Sequence, residues 1–207
     1  MTGLRERKKR RTRGALIRVA HELIVTRGYD DTTVDQIADA VDVSQRTFFR
    51  YFSSKEEVAL ALQDETEAGF YEAVRDRPAQ ESPIRALRNA LDATWDHFGE
   101  AITEIVPIGL YMRMWQVIET TPSLLAAHLR RSTETEARLA ALLTAREGLS
   151  PDDRRPRVLV ASFTGVMRAA GREWGEGEDV TVEAARRTMD TYLDLMAPAL
   201  SDGWSRR

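Results

Sequence analysis

Arg46 and Arg50 stand one helical turn apart, with Gln45 just before them and Phe48 and Phe52 interleaved. Each helical residue advances about 100° around the axis. If Phe48 and Phe52 face a core, Arg46 and Arg50 project almost directly away from it. Gln45, Thr47 and Phe49 then lie on the flanks. Arginine pairs bidentately with O6 and N7 of guanine, and glutamine with N6 and N7 of adenine. A short helix with an aromatic inner face and two outward arginines suits insertion into a DNA major groove. The same pattern also describes a surface helix with solvated arginines, so the segments around it must decide.

Those segments favour a nucleic-acid partner. Residues 1–55 hold 12 of the 30 basic and 7 of the 33 acidic residues, a surplus of five positive charges, whereas the remainder carries eight excess negative charges. The chain's net charge of −3 conceals this asymmetry. Only the N-terminal quarter suits a polyanion. Its first part, residues 1–11, is expected to be a basic, disordered arm laid along phosphates, or a solvated tail. Leu16, Val19, Ala20, Leu23 and Ile24 recur at helical spacing, and Gly28 ends that helix. Thr33-Val-Asp-Gln36 is a capping box for a second helix, with Val34, Ile37, Ala38 and Val41 on its apolar face. After a break at Asp42 and Val43, Ser44 caps a third helix from Gln45 to about Phe52. Ser54-Lys-Glu-Glu57 is a second capping box and opens a fourth helix. Such a three-helix unit is too small to bury much surface and needs the rest of the chain as a base.

Beyond Pro83 the pattern is long amphipathic helices, at approximately 84–98, 102–118, 123–146, 156–174 and 182–200, separated by Pro- and Gly-marked breaks. Pro107-Ile-Gly109 interrupts the second of these. No β-type alternation of useful length occurs, so the fold is expected to be all-α. The chain lacks His-Glu-x-x-His, a Glu-x-x-His pair, a Gly-rich phosphate loop, a Gly-x-Ser-x-Gly elbow and any cysteine. Neither an enzyme, a cofactor nor a metal is expected. No apolar run approaches the roughly 18 residues of a membrane span, and no signal-peptide core follows the basic start.

Gly28-Tyr-Asp-Asp-Thr-Thr-Val34, Ile37-Ala38, Val43-Ser44, Thr47-Phe48-Phe49-Arg50-Tyr51-Phe52 and Lys55-Glu56 together closely resemble the DNA-binding domain of TetR/AcrR-family transcriptional regulators. The resemblance spans roughly residues 12–60. It implies a helix-turn-helix domain over 12–58 and a larger helical ligand-binding and dimerisation domain over 59–207. It further implies a cytoplasmic homodimer on a palindromic double-stranded DNA operator, usually a repressor released by a small hydrophobic ligand. Carried onto this sequence, it implies that Thr33 touches phosphate through its amide or hydroxyl. Gln45, Arg46, Thr47 and Arg50 would face bases or groove walls, and Tyr51 and Lys55 would bind phosphate. Two positions depart from the usual pattern. Val41-Asp42 replaces Ala-Gly in the turn, where Asp tolerates a left-handed conformation. Phe49 replaces a frequent Tyr, so a phosphate-contacting hydroxyl is lost and the ring is offered to a thymine methyl or a sugar edge.

In the larger domain, Trp95, Phe98, Tyr111, Met114, Trp115, Phe163 and Met167 cluster on neighbouring helices. They fit a packed core or an apolar cavity equally well; the resemblance implies the cavity. Ala161, Gly165 and Ala169 form a small-residue stripe, with Met189, Tyr192 and Met196 as the facing surface. This fits an internal seam or a dimer face, and the resemblance implies the dimer. An architectural DNA-binding protein would have no need of this acidic domain.

Overall fold

The computed structural model describes residues 2–199, and the side chains of all of these except 2, 4, 97–101, 198 and 199. The described residues form nine α-helices: α1 Thr2–Arg27, α2 Val34–Ala40, α3 Gln45–Phe49, α4 Lys55–Arg75, α5 Pro83–Thr103, α6 Ile108–Thr120, α7 Pro122–Arg146, α8 Arg155–Gly175 and α9 Val182–Ala199. The fold is all-α, as the periodicity predicts.

The caps explain why the short helices exist. Thr33 Oγ1 accepts from Gln36 N–H at 3.2 Å, and Gln36 Oε1 accepts from Thr33 N–H at 3.0 Å, so the first capping box is complete. Ser44 Oγ accepts from Thr47 N–H at 3.1 Å and starts α3. Gly28 ends α1 at a φ of 96°, and Asp42 makes the turn between α2 and α3 at a φ of 55°. That left-handed turn is the one Asp was expected to tolerate. The second box is offset. Ser54 Oγ accepts from Glu57 N–H at 3.0 Å, but the Glu57 carboxylate reaches back to Ser53, where it takes both an amide and a hydroxyl hydrogen.

The structure departs from expectation at three places in the N-terminal third. Residues 2–11, expected as a disordered arm, are the first turns of α1. Arg, Lys and Glu are good helix formers, and adding a residue to a helix already anchored at Leu16–Ile24 costs little. The third helix closes at Phe49 rather than near Phe52, although Tyr51 N–H and Phe52 N–H still reach the Phe48 carbonyl. The expected boundary at residue 58 falls inside α4, whose buried run Val58–Leu62 serves both sides. Leu16, Ile17, Ile37, Phe48 and Phe52 form one continuous apolar cluster with Val106, Leu110 and Met112 near and on α6. The head is thereby seated on the body, which supplies the base its size demands. At the far end, the Arg146 guanidinium donates to the carbonyls of Arg77, Pro78 and Glu81 and pins the α4–α5 linker.

His21 is fully buried between α1 and α4, with Nε2 3.2 Å from the Ala59 carbonyl and Nδ1 unpartnered. Burial lowers its pKa from 6.5 to about 4. The folded state therefore binds the proton later than the unfolded state as pH falls. The neutral ring's contribution is complete above about pH 6.5 and shrinks towards pH 4, by roughly 3 kcal/mol across the window. Urea titrations at pH 7 and pH 4.5 should show this loss, and His21→Leu should flatten that part of the profile.

Candidate DNA-reading surface and ligand cavity

The cluster under α3 fixes its orientation. Phe48 is 0% exposed and contacts Phe49 edge-on at 5.5 Å and Phe52 at 5.9 Å between ring centroids. With the inner face so occupied, Gln45, Arg46, Phe49 and Arg50 are exposed, as the helical-wheel argument requires. Phe49 is 49% exposed, so its ring is available to a partner seated on this face. The Arg50 guanidinium lies 5.3 Å from the centroid of the Tyr51 ring, so the two side chains hold one another. Thr47 is half-buried, with its hydroxyl 3.0 Å from Ser44 Oγ and turned toward the cap.

The surroundings of Thr33 and Lys55 narrow the way each can meet a phosphate. The Thr33 amide already donates to Gln36, so its hydroxyl hydrogen is the donor left for a phosphate. The Lys55 ammonium sits 4.1 Å from the Tyr29 ring centroid and donates to the carbonyls of Tyr29 at 2.5 Å and Thr32 at 2.7 Å. Its main task is to close the turn between α1 and α2. The reason is local: α4 starts directly beneath that turn, and the two carbonyls after the α1 cap have no helical partner. One ammonium hydrogen remains for a phosphate.

The basic N-terminal stretch forms the first turns of α1, and its Arg5, Arg7, Lys8, Lys9, Arg10 and Arg11 are exposed. Arg13 turns inward, pairing with Glu65 at 2.6 Å and covering the Phe52 ring at 5.4 Å. Deleting residues 1–11 should lower affinity for every duplex and flatten the dependence of binding on salt, because fewer counterions are released. Titrations by fluorescence anisotropy at several salt concentrations check this.

A cavity of about 200 Å³ with mostly apolar walls lies in the body, between α4, α5, α6, α7, α8 and α9. Trp95, Tyr111, Trp115, Phe163 and Met167 line it, the alternative that the resemblance implied and that their types and spacing had left open. Phe98 lies outside the described side chains. Met114 does not line it. Tyr111, Trp115 and Glu119 form the i, i+4, i+8 stripe of α6 that faces the cavity. Met114 and Ile118 face the other way and pack with Ile24, Leu60 and Leu124. Trp95 and Trp115 stack at 6.1 Å with an interplanar angle of 25°, and Phe70 and Phe163 stack at 6.1 Å with an angle of 1°.

The polar lining escaped the sequence reading. Gln63, Thr66, Glu67 and Phe70 repeat at i, i+3, i+4, i+7 on α4 and form one wall. That spacing was available as a signal, a polar stripe continuing the buried run Val58–Leu62. Glu67 accepts from Ser132 at 2.6 Å and Thr135 at 2.9 Å. Glu136 accepts from Thr164 and pairs with Arg168. Glu119 accepts from Trp115 Nε1 at 3.3 Å, and burial raises its pKa against the pull of His128 and Arg172. Burial likewise pushes the Tyr111 phenol up.

Ala161 and Ala169 are exposed on α8, and Gly165 is half-buried between them. Tyr192 and Met196 are half-buried on α9, where the Tyr192 hydroxyl donates to Glu173. Met189 is corrected: it is buried within the protomer and lines the cavity, because it lies on the side of α9 turned toward the core. Exposed apolar side chains not singled out from sequence stand nearby in the chain, Val158 at 65% and Leu195 at 56% exposure.

Comparison with known proteins accords with this architecture. Residues 16–62 match the family of bacterial regulatory proteins, tetR family, and residues 81–201 match the MftR C-terminal domain. The chain is 46% identical over 205 residues to the HTH-type transcriptional regulator TcmR of Streptomyces glaucescens, covering 99% of this chain and 91% of that one. It shares its fold with NalD of Pseudomonas aeruginosa, the secondary repressor of the MexAB-OprM multidrug efflux pump. That match has a TM-score of 0.60 and 18% identity, and covers 96% of this chain and 100% of the other. It also shares the fold of Thermus thermophilus FadR, a repressor solved with lauroyl-CoA, at a TM-score of 0.54 and 23% identity, over 94% and 96% of the two chains. No described helix is long and apolar enough to cross a membrane. With an N-terminal helix-turn-helix, a helical C-terminal domain and a full-length regulator as its relative, this chain belongs to the TetR family of DNA-binding transcriptional regulators.

Proposed function

We propose that the chain is a cytoplasmic homodimeric repressor that holds a palindromic operator and releases it when a small, largely hydrophobic ligand enters the cavity. One observation carries this reading: α4 belongs to both sites. Its first turn closes the α1–α2 turn through Lys55, and its middle turns form a cavity wall through Gln63, Thr66, Glu67 and Phe70. A ligand that moves this wall moves the base of the head. Only a ligand with different affinities for the two arrangements shifts the balance between them. The names of TcmR as a regulator and of NalD and FadR as repressors support the same direction.

The dimer is proposed to form through α8 and α9, with Ala161, Gly165 and Ala169 allowing close approach and Val158, Tyr192, Leu195 and Met196 adding apolar contact. The base-reading row is Gln45, Arg46, Phe49 and Arg50, with Thr47 on the groove wall. Thr33, Tyr51, the free hydrogen of Lys55 and the basic helical extension hold phosphate.

Native mass spectrometry of the chain purified from its host tests the ligand. A small molecule should co-purify, and organic extraction should remove it. Restoring the extract should weaken operator binding measured by anisotropy. Operator affinity that is the same with and without the extract would contradict release by ligand.

A further inference from the structure

Gln63 is the least satisfied polar side chain of the cavity wall. It is only 4% exposed, and neither Oε1 nor Nε2 has a hydrogen-bond partner among the described residues. Its neighbours are committed elsewhere. The Thr66 hydroxyl donates to the Leu62 carbonyl at 2.8 Å, and Glu67 is held by Ser132 and Thr135. A buried amide without partners is costly to keep. It is best explained by a partner that arrives from outside.

We propose that Gln63 is the specificity-determining anchor of the cavity, and that its ligand is a neutral, planar aromatic molecule carrying a hydrogen-bond donor and acceptor side by side on one edge. This rests on reading the cavity as the ligand site. A primary amide presents one donor and one acceptor along the same edge, so its complement is an edge with the reverse order, as in a lactam. Neither amide atom has exposed surface, so the side chain turns about its own torsions to meet the ligand. The near-parallel pairs Trp95–Trp115 and Phe70–Phe163 set flat walls that favour a planar guest. A cavity of about 150 Å³ accommodates benzene, so the somewhat larger volume here suits a fused two-ring system.

Charge excludes the alternatives. The cavity is lined by three carboxylates, from Glu67, Glu119 and Glu136, against Arg168 and His128, and Arg168 is already paired with Glu136. An anionic head group, such as that of a fatty acid, meets repulsion with no unpaired arginine to offset it. A lipophilic cation finds the carboxylates engaged, Glu67 by two hydroxyls, Glu136 by Arg168 and Thr164, and Glu119 by the Trp115 indole.

The test uses the full chain and four probes followed by quenching of tryptophan fluorescence: 2-quinolone, naphthalene, laurate and dodecyltrimethylammonium. 2-Quinolone and naphthalene share a shape, and only the first has the donor–acceptor edge. The expected result is binding of 2-quinolone at least about tenfold tighter than naphthalene. In Gln63→Leu and Gln63→Met that ratio should fall to near one while the thermal midpoint stays equal or rises. Equal binding of the two bicyclic probes to the parent, or an undiminished ratio in both variants, would overturn the anchor. Stronger binding of laurate or the ammonium probe, or no binding of any probe, would overturn the ligand class. Operator anisotropy with the same probes keeps the two readings apart. Gln63-dependent binding without any loss of operator affinity leaves the anchor standing and contradicts ligand release. Release by naphthalene and 2-quinolone alike does the reverse.

Discussion

Phe48→Ala should lower the stability of the chain by about 3–5 kcal/mol and abolish specific operator binding. The ring is fully buried at the junction of α3 with Phe52, and the same cluster runs through Leu16 and Ile17 to α6. Removing it leaves a cavity beneath a helix of five residues, which has no independent means of holding its shape. Phe49→Ala, one residue away, is the control. That ring is half exposed, so the stability change should stay within about 0.5 kcal/mol. Its effect should fall on sequence preference instead. Urea midpoints and operator titrations on the two variants separate the roles. Equal destabilisation of both would mean that the orientation of α3 is wrong.

The contrast between those two phenylalanines was legible in the sequence because helical periodicity alone assigns their faces. So were the helix starts, since Thr33, Ser44 and Ser54 are all capping types, two of them with Gln36 or Glu57 three residues later. Asp42 was legible because few residues accept its turn. What escaped was set by neighbours distant in sequence. Lys55 looks like a free cation until the carbonyls of Tyr29 and Thr32 are seen above it. Met114 and Trp115 are adjacent large side chains, and only the packing of α6 against α1 and α7 on one side and α8 on the other sends one to the core and the other to the cavity. Met189 reads as part of an outer face until α9 is docked. Gln63 was hidden at the end of an apolar run, where a single polar residue resembles a boundary rather than a wall.

Gly165→Trp should convert a dimer into a monomer and weaken operator binding by at least about a hundredfold, since each half-site would then be bound without the help of its pair. The position makes this a clean experiment. A Cβ placed on Gly165 meets only the end of the Arg168 side chain at 3.8 Å, so a side chain can begin there without striking the protomer's backbone or core. Sedimentation should therefore show a folded monomer with an unchanged thermal signature for the protomer's core. If the variant remains dimeric and binds its operator normally, α8 and α9 do not form the interface.

α3 is proposed to read bases in two symmetry-related half-sites, with the exposed Arg46 and Arg50 turned away from the buried Phe48 and Phe52. Selection of binding sites from a pool of random duplexes, run in parallel on the parent, Arg46→Ala and Arg50→Ala, tests it most directly. The parent should select an inverted repeat, with half-sites about one helical turn apart or more. At least one arginine variant should lose preference at a single position in each half-site, at a cost of about 1–3 kcal/mol per contact, while the rest of the motif survives. A parent motif without two-fold symmetry, or arginine variants that both retain the full parental preference, would mean that these side chains do not read the operator.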